Sequence, residues 1–236
     1  MSPATREPRG STAAAEPVEL VLLDVGGPVY DDACYASALR RAAGELAGAP
    51  IDEAAFAAVY EKQRRAQRGG LRTAVARAFV PGEDRAALSA LAARYWEYPA
   101  GALHADVVPA LDVLADRYRL ALVANQRAHV MEALRRDGLA DRFDVIALSE
   151  VVGVEKPDPA IFRYALERTG VPSTRAVHVG NRLDTDVRPA RKLGLRTVWV
   201  LRGEAPAQPT EHQLAEADAA IRSLAELPAA LAGLEA

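Results

Sequence analysis

A chain of 236 residues that is 50% hydrophobic and 26% charged has the balance of a globular protein, long enough for one large domain or two unequal ones. Its formal net charge of −3 argues against a nucleic-acid surface built on bulk basicity, and a single cysteine, Cys34, excludes an intrachain disulfide and a cysteine-based zinc site. No apolar run approaches the ~18 residues a membrane span needs, so a soluble, cytoplasmic protein with neither membrane nor nucleic-acid partner is expected.

Residues 1–17 lack the apolar core of a signal peptide and are expected to form a disordered tail. A short apolar run, Val18 to Leu23, then stops abruptly at Asp24-Val25-Gly26-Gly27-Pro28, as a buried strand does on entering a tight loop. From Asp32 to Pro99 no strand-like run occurs. Helices are predicted at Ala33–Leu46, at Asp52–Arg68 with Asp52 as N-cap, at Leu71–Phe79 and at Glu83–Tyr98. Apolar runs return at Leu120–Val123, Val145–Leu148, Ala176–Val179 and Thr197–Val200, with a weaker one at Ala219–Ile221. Helical patterns at Arg127–Arg136, Pro159–Thr169 and Val187–Leu193 lie between them. Alternating strands and helices predict an α/β fold, a Rossmann-like parallel sheet covered on both faces, with an inserted helical lobe. The predicted division is a sheet domain over 18–30 and 100–236 and a helical cap over 31–99.

Four short segments fall at predicted carboxyl ends of strands, where ligands collect in such sheets. Asp24 is a carboxylate on a sharp turn, placed as a nucleophile or metal ligand, and Gly26 and Gly27 allow close backbone approach to an anion. Asn125, after Ala124, carries an amide that can donate to an anion, and Arg127 follows closely. Lys156 precedes a proline, which keeps it extended and able to aim its ammonium at a phosphate or at Asp24. Asn181 and Asp186 lie in a loop whose oxygens can gather around Mg²⁺.

In this order the four segments resemble the haloacid dehalogenase superfamily of hydrolases, most of which are Mg²⁺-dependent phosphatases. The resemblance is strongest over VGVEKPDPAIFRYALERTGV and AVHVGNRLDTDVRPARKLG, and the long interval after Asp24 leaves room for the cap found in one subclass. It implies that Asp24 attacks phosphorus to form an aspartyl-phosphate and that Lys156 neutralises charge. It further implies that the Gly26 carbonyl, Asp24, Asn181 and Asp186 hold Mg²⁺ directly or through its water, and that Ala124, Asn125, Gly27 and Arg127 border the phosphate of a small-molecule phosphorylated substrate. Monomer and homodimer are both compatible with it.

The departures weaken this chemistry. Gly26 stands where most members carry a second aspartate, the acid for the leaving group and base for water, whose loss typically costs ~10²–10⁴-fold in rate. Ala124 replaces a hydroxyl and Asn181 a metal-binding aspartate. Two carboxylates and one ammonium remain where the usual site has four and one. Asp184, Asp31 or Asp32 could supply a missing carboxylate, depending on side-chain directions. Alternatives are a catalytically inactive binding or regulatory protein on the same fold, and a metal-free hydrolase like the 2-haloacid dehalogenases, which also lack that aspartate but tend to carry tyrosine where Phe162 stands. The arginines of the insert suggest contacts to a substrate's anionic end, and Arg182 lies near the predicted pocket. His178 is expected to be packed within its strand, and Tyr95, Trp96 and Tyr98 between the lobes.

Overall fold

The computed structural model describes residues 16–236, so most of the expected tail lies outside the described residues. Strand β1, Leu20–Leu23, starts two residues later than expected, although Glu19 still bonds to its neighbours on both sides. Helices α1 (Ala33–Ala47), α2 (Glu53–Ala66), α3 (Leu71–Phe79) and α4 (Arg85–Ala92) follow, then α5 (Val107–Ala115). The remainder alternates: β2 (Arg119–Ala124), α6 (Val130–Arg136), β3 (Val145–Leu148), α7 (Ser149–Val152), α8 (Pro159–Thr169), β4 (Ala176–Gly180), α9 (Arg188–Lys192), β5 (Arg196–Val200), α10 (Glu211–Leu214), β6 (Ala219–Ile221) and α11 (Leu227–Glu235).

All six strands are parallel, in the order β3-β2-β1-β4-β5-β6. Side chains alternate between the faces. Val21, Leu23, Leu120, Leu122, Val177 and Val179 pack against α5 and α11, whereas Leu20, Leu22, Ala121, Val123 and Ala147 pack against α8 and α9. The chain's direction of winding reverses at β1, between β2 and β4, and that reversal opens a crevice at the strands' carboxyl ends.

The inserted helices have a core of their own, built on Leu39, Phe56, Leu71, Val75 and Leu88. Asp52 caps α2 as predicted, accepting a hydrogen bond from the Ala55 N–H at 2.8 Å. The predicted helix over Glu83–Tyr98 is shorter. A 3₁₀ turn at Pro81–Glu83 precedes Asp84, which caps α4, and the helix ends at Ala92. Beyond it the aromatic residues turn to different partners: Trp96 packs on Tyr35 and Tyr98 stacks on Tyr30, each with ring centroids 4.5 Å apart. Pro99 also disfavours helical backbone at Tyr98. Periodicity missed α5 and α11, apolar on nearly every turn, and the wide helical turn Leu183–Val187 that leads into α9.

Gln67 joins the insert to the sheet. It is 1% exposed and left-handed (φ 46°), and its side chain accepts from the Leu183 N–H and donates to the carbonyls of Arg64 and Glu204, each at 2.8 Å. Arg188 donates to its backbone carbonyl at 2.8 Å. Truncation strands the Leu183 N–H in a dry interface, so Gln67→Ala is expected to cost about 1–3 kcal/mol. A fall in Tm of roughly 3–10 °C in a thermal melt checks this.

Candidate active site at the carboxyl edge of the sheet

The site forms around a buried ammonium. Asp24 leaves β1 with its N–H bonded to the Val179 carbonyl at 2.9 Å, and its Oδ1 accepts from Lys156 Nζ at 2.9 Å. Lys156 also donates to Oδ1 of Asp186, which is fully buried. The remaining oxygen of Asp186 accepts from the Arg182 N–H at 2.9 Å, and His178 Nε2 lies 3.3 Å from Oδ1. His178 is packed as expected, edge-on to Phe162, but it also meets Asp186, a contact that strand periodicity does not reveal. Lys156 is held from behind: Asn125 accepts from its N–H at 2.6 Å and donates to its carbonyl at 2.9 Å.

These contacts set the protonation states. Burial opposes charge on Lys156, but Asp186 and Asp24 hold its pKa above the usual lysine range. Burial alone would raise Asp186, yet Lys156 and His178 hold it far below the usual carboxylate range. Asp24 goes the other way. Burial pushes it up to about 6, with Lys156 opposing and Asp186 adding to the rise. Burial pushes the His178 imidazole down.

Asp24, Gly26, Lys156 and Asn181 open onto a cavity of about 880 Å³, closed on its far side by Tyr35, Arg72 and Trp96 of the insert and its flank. Arg72 and Arg85 reach across the mouth to Glu155, the residue before Lys156, at 2.9 and 3.4 Å. Gly69 and Gly70, after α2, also border the cavity.

Several expected anion contacts are occupied internally. The Asn125 amide is spent on Lys156 rather than turned to an anion. Gly27 donates its N–H to the Tyr30 carbonyl and accepts from Arg202, so neither backbone group is free. Ala124 is a fully buried methyl at the end of β2. Arg127 borders the cavity but pairs with Glu150 at 3.2 Å, and Arg182 pairs with Asp184 and Glu204.

Of the four residues that the resemblance sets around Mg²⁺, Asp186 has no oxygen left to offer. Both oxygens of Asp186 are taken, and the Asn181 NH₂ donates to Asp32 at 2.8 Å and to the Arg202 carbonyl at 3.3 Å. Asp24 is then the single anionic side chain of the four with an oxygen left, and it is paired with Lys156. Among the described residues no three His, Cys, Asp or Glu side chains gather as a metal group.

A model of haloacid dehalogenase-like hydrolases matches residues 18–194, three quarters of the length. The chain belongs to this family. It is 42% identical over 101 residues to a glyceraldehyde 3-phosphate phosphatase of Methanopyrus kandleri, covering 42% of this chain and 43% of that protein. It is 44% identical over 91 residues to a phosphoserine phosphatase of Thermus thermophilus, covering 38% and 36%. These matches span less than half of each curated relative. Over the whole fold it resembles a putative HAD-hydrolase of Bacillus subtilis bound to magnesium, with TM-score 0.69, 21% identity and coverage of 92% and 99%.

Two outcomes are expected from this geometry. Isothermal titration of the resting protein with Mg²⁺ alone should give no saturable binding at submillimolar concentrations, because the donors supply so little negative charge. Asp24 ionises at a cost in the fold: its raised pKa destabilises the native state above about pH 6, and the effect fades as pH falls towards ~4. Asp24→Asn is therefore expected to be more stable than wild type by about 1–3 kcal/mol near neutral pH, the gap closing in acid, as followed by denaturant unfolding across pH.

Proposed function

We propose that this protein is a phosphatase that hydrolyses a small phosphorylated metabolite through an aspartyl-phosphate on Asp24. The observation that carries the reading is Asp24 at the end of the central strand, facing the cavity with Lys156 Nζ 2.9 Å from its carboxylate. The free oxygen of Asp24 attacks phosphorus and the leaving group departs. Lys156 holds the carboxylate in place and offsets negative charge gathering on the phosphoryl oxygens. Water then cleaves the acyl phosphate and restores Asp24.

Helices α1–α4, residues 31–99, act as a cap that encloses substrate and excludes water, with the remainder as the sheet domain. The phosphatases among the family relatives favour phosphorus over carbon as the centre attacked. So does Phe162, which packs against His178 and does not border the cavity.

The test is phosphate release from a panel of sugar, amino-acid, nucleotide and acyl phosphates. Wild type should turn over at least one, and Asp24→Asn should turn over none. The rate should fall about tenfold per unit as pH drops below about 6, where Asp24 takes up a proton. Halide release from a 2-haloacid without phosphate release would replace this reading with the carbon-acting one.

A further inference from the structure

A carboxylate nucleophile at phosphorus leaves one demand unmet, a proton donor for the departing oxygen. The carboxylates bordering the cavity are Asp24, Asp32, Glu155, Asp184 and Glu204. Asp24 is paired with Lys156, Glu155 with Arg72 and Arg85, and Asp184 and Glu204 with Arg182. Asp32 alone among them has no ion pair among the described residues.

Its surroundings are built for it. Oδ2 accepts from Asn181 Nδ2 at 2.8 Å and from the Glu204 N–H at 3.1 Å, while Oδ1 accepts nothing from the described residues. Three glycines make room for the group. A Cβ at Gly26 would lie 2.6 Å from Oδ1, and Cβ atoms at Gly27 and Gly203 would lie 2.9 and 2.3 Å from Oδ2. The space beside Gly26 is thus filled by a carboxylate from the start of α1. An aspartate at 181 would set two carboxylates against each other, whereas the asparagine donates.

We propose that Asp32 is the acid–base residue of this site, its carboxyl group occupying the place of the side chain that Gly26 lacks, with Asn181 as its positioning residue. The assignment rests on the phosphatase reading above. Asp32 is buried and has no cation beside it among the described residues, an environment that favours the neutral carboxyl, so it carries a proton when substrate arrives. As the Asp24 oxygen bonds to phosphorus and the ester P–O bond breaks, the proton on Oδ1 passes to the departing oxygen. Asp32, now a carboxylate, takes a proton from the water whose oxygen attacks the aspartyl-phosphate. Inorganic phosphate leaves, and both aspartates return to their starting states.

The test compares 4-nitrophenyl phosphate, whose leaving group needs no proton, with an alkyl phosphate that wild type hydrolyses. Asp32→Asn should lose ~10²–10⁴-fold in kcat on the alkyl ester. On the aryl ester it should release about one equivalent of nitrophenol in a burst and then stall, because the base for the second step is missing. Intact-mass analysis of the quenched reaction should find a phosphoryl group on Asp24. Should Asp32→Asn fail to fold, the exchange Gly26→Asp with Asp32→Gly decides the question: recovery of alkyl-ester turnover to within about tenfold of wild type supports the assignment, and no turnover by the folded exchange variant overturns it. Equal losses on both esters, with no burst and no adduct, overturn the Asp32 assignment alone. No turnover or adduct with wild type on any phosphate overturns the phosphatase reading and this assignment with it.

Discussion

The ammonium of Lys156, enclosed between Asp24 and Asp186, is the contact on which the site depends. It ties together three pieces of chain that the sheet merely brings near: the end of β1, the loop before α8 and the turn after β4. A buried charge is costly unless it is paired and fully hydrogen-bonded, and this one is met on both sides. The support extends outwards. Asn125 fixes the Lys156 backbone, and His178 with the Arg182 N–H fixes Asp186. Removal of Lys156 would leave two carboxylates facing each other in a dry interior, which is why its position cannot drift.

A second network fixes the loop after β1. Arg202 donates to the carbonyls of Gly27 and Pro28 and forms a two-pronged pair with Asp106, at 3.0 and 2.8 Å. Asp106 is itself anchored by the Ser223 hydroxyl and the Leu224 N–H. The loop carrying Asp24 is therefore held from the β5 end of the sheet as well as by Lys156. The carbonyls of Gly27 and Pro28 are thereby spent on structure.

The sheet was legible because its strands are buried on both faces and appear as short, continuous apolar runs. The order of the strands' ends was legible too, since Asp24, Asn125, Lys156 and Asn181 each follow such a run. Contacts between distant segments were not. Nothing local to Asn125 says that its amide meets the Lys156 backbone, and nothing local to Gln67 says that it reaches Leu183. The helix expected over Glu83–Tyr98 failed for a similar reason. Its composition favours helix, but stacking of Tyr98 on Tyr30 and of Trp96 on Tyr35 is tertiary and outweighs a propensity of a few tenths of a kcal/mol per residue.

Gly26 and Asn181 look like two independent losses when each is set against the family's usual residue. In three dimensions they face one carboxylate. Asp32 fills the space a side chain at 26 would take, and the asparagine donates to it where an aspartate would repel it. With Asp32 counted, the site has lost fewer carboxyl groups than the motifs suggest. The burial that raises Asp24 and Asp32 works against the fold, while the pairing of Asp186 with Lys156 works for it. Each carboxylate differs because its neighbours differ: Lys156 and His178 hold Asp186 far below the usual carboxylate range, burial pushes Asp24 up to about 6, and burial holds Asp32 well above that range. Such a separation lets three like groups in one site take different roles, each set by its surroundings rather than by its residue type.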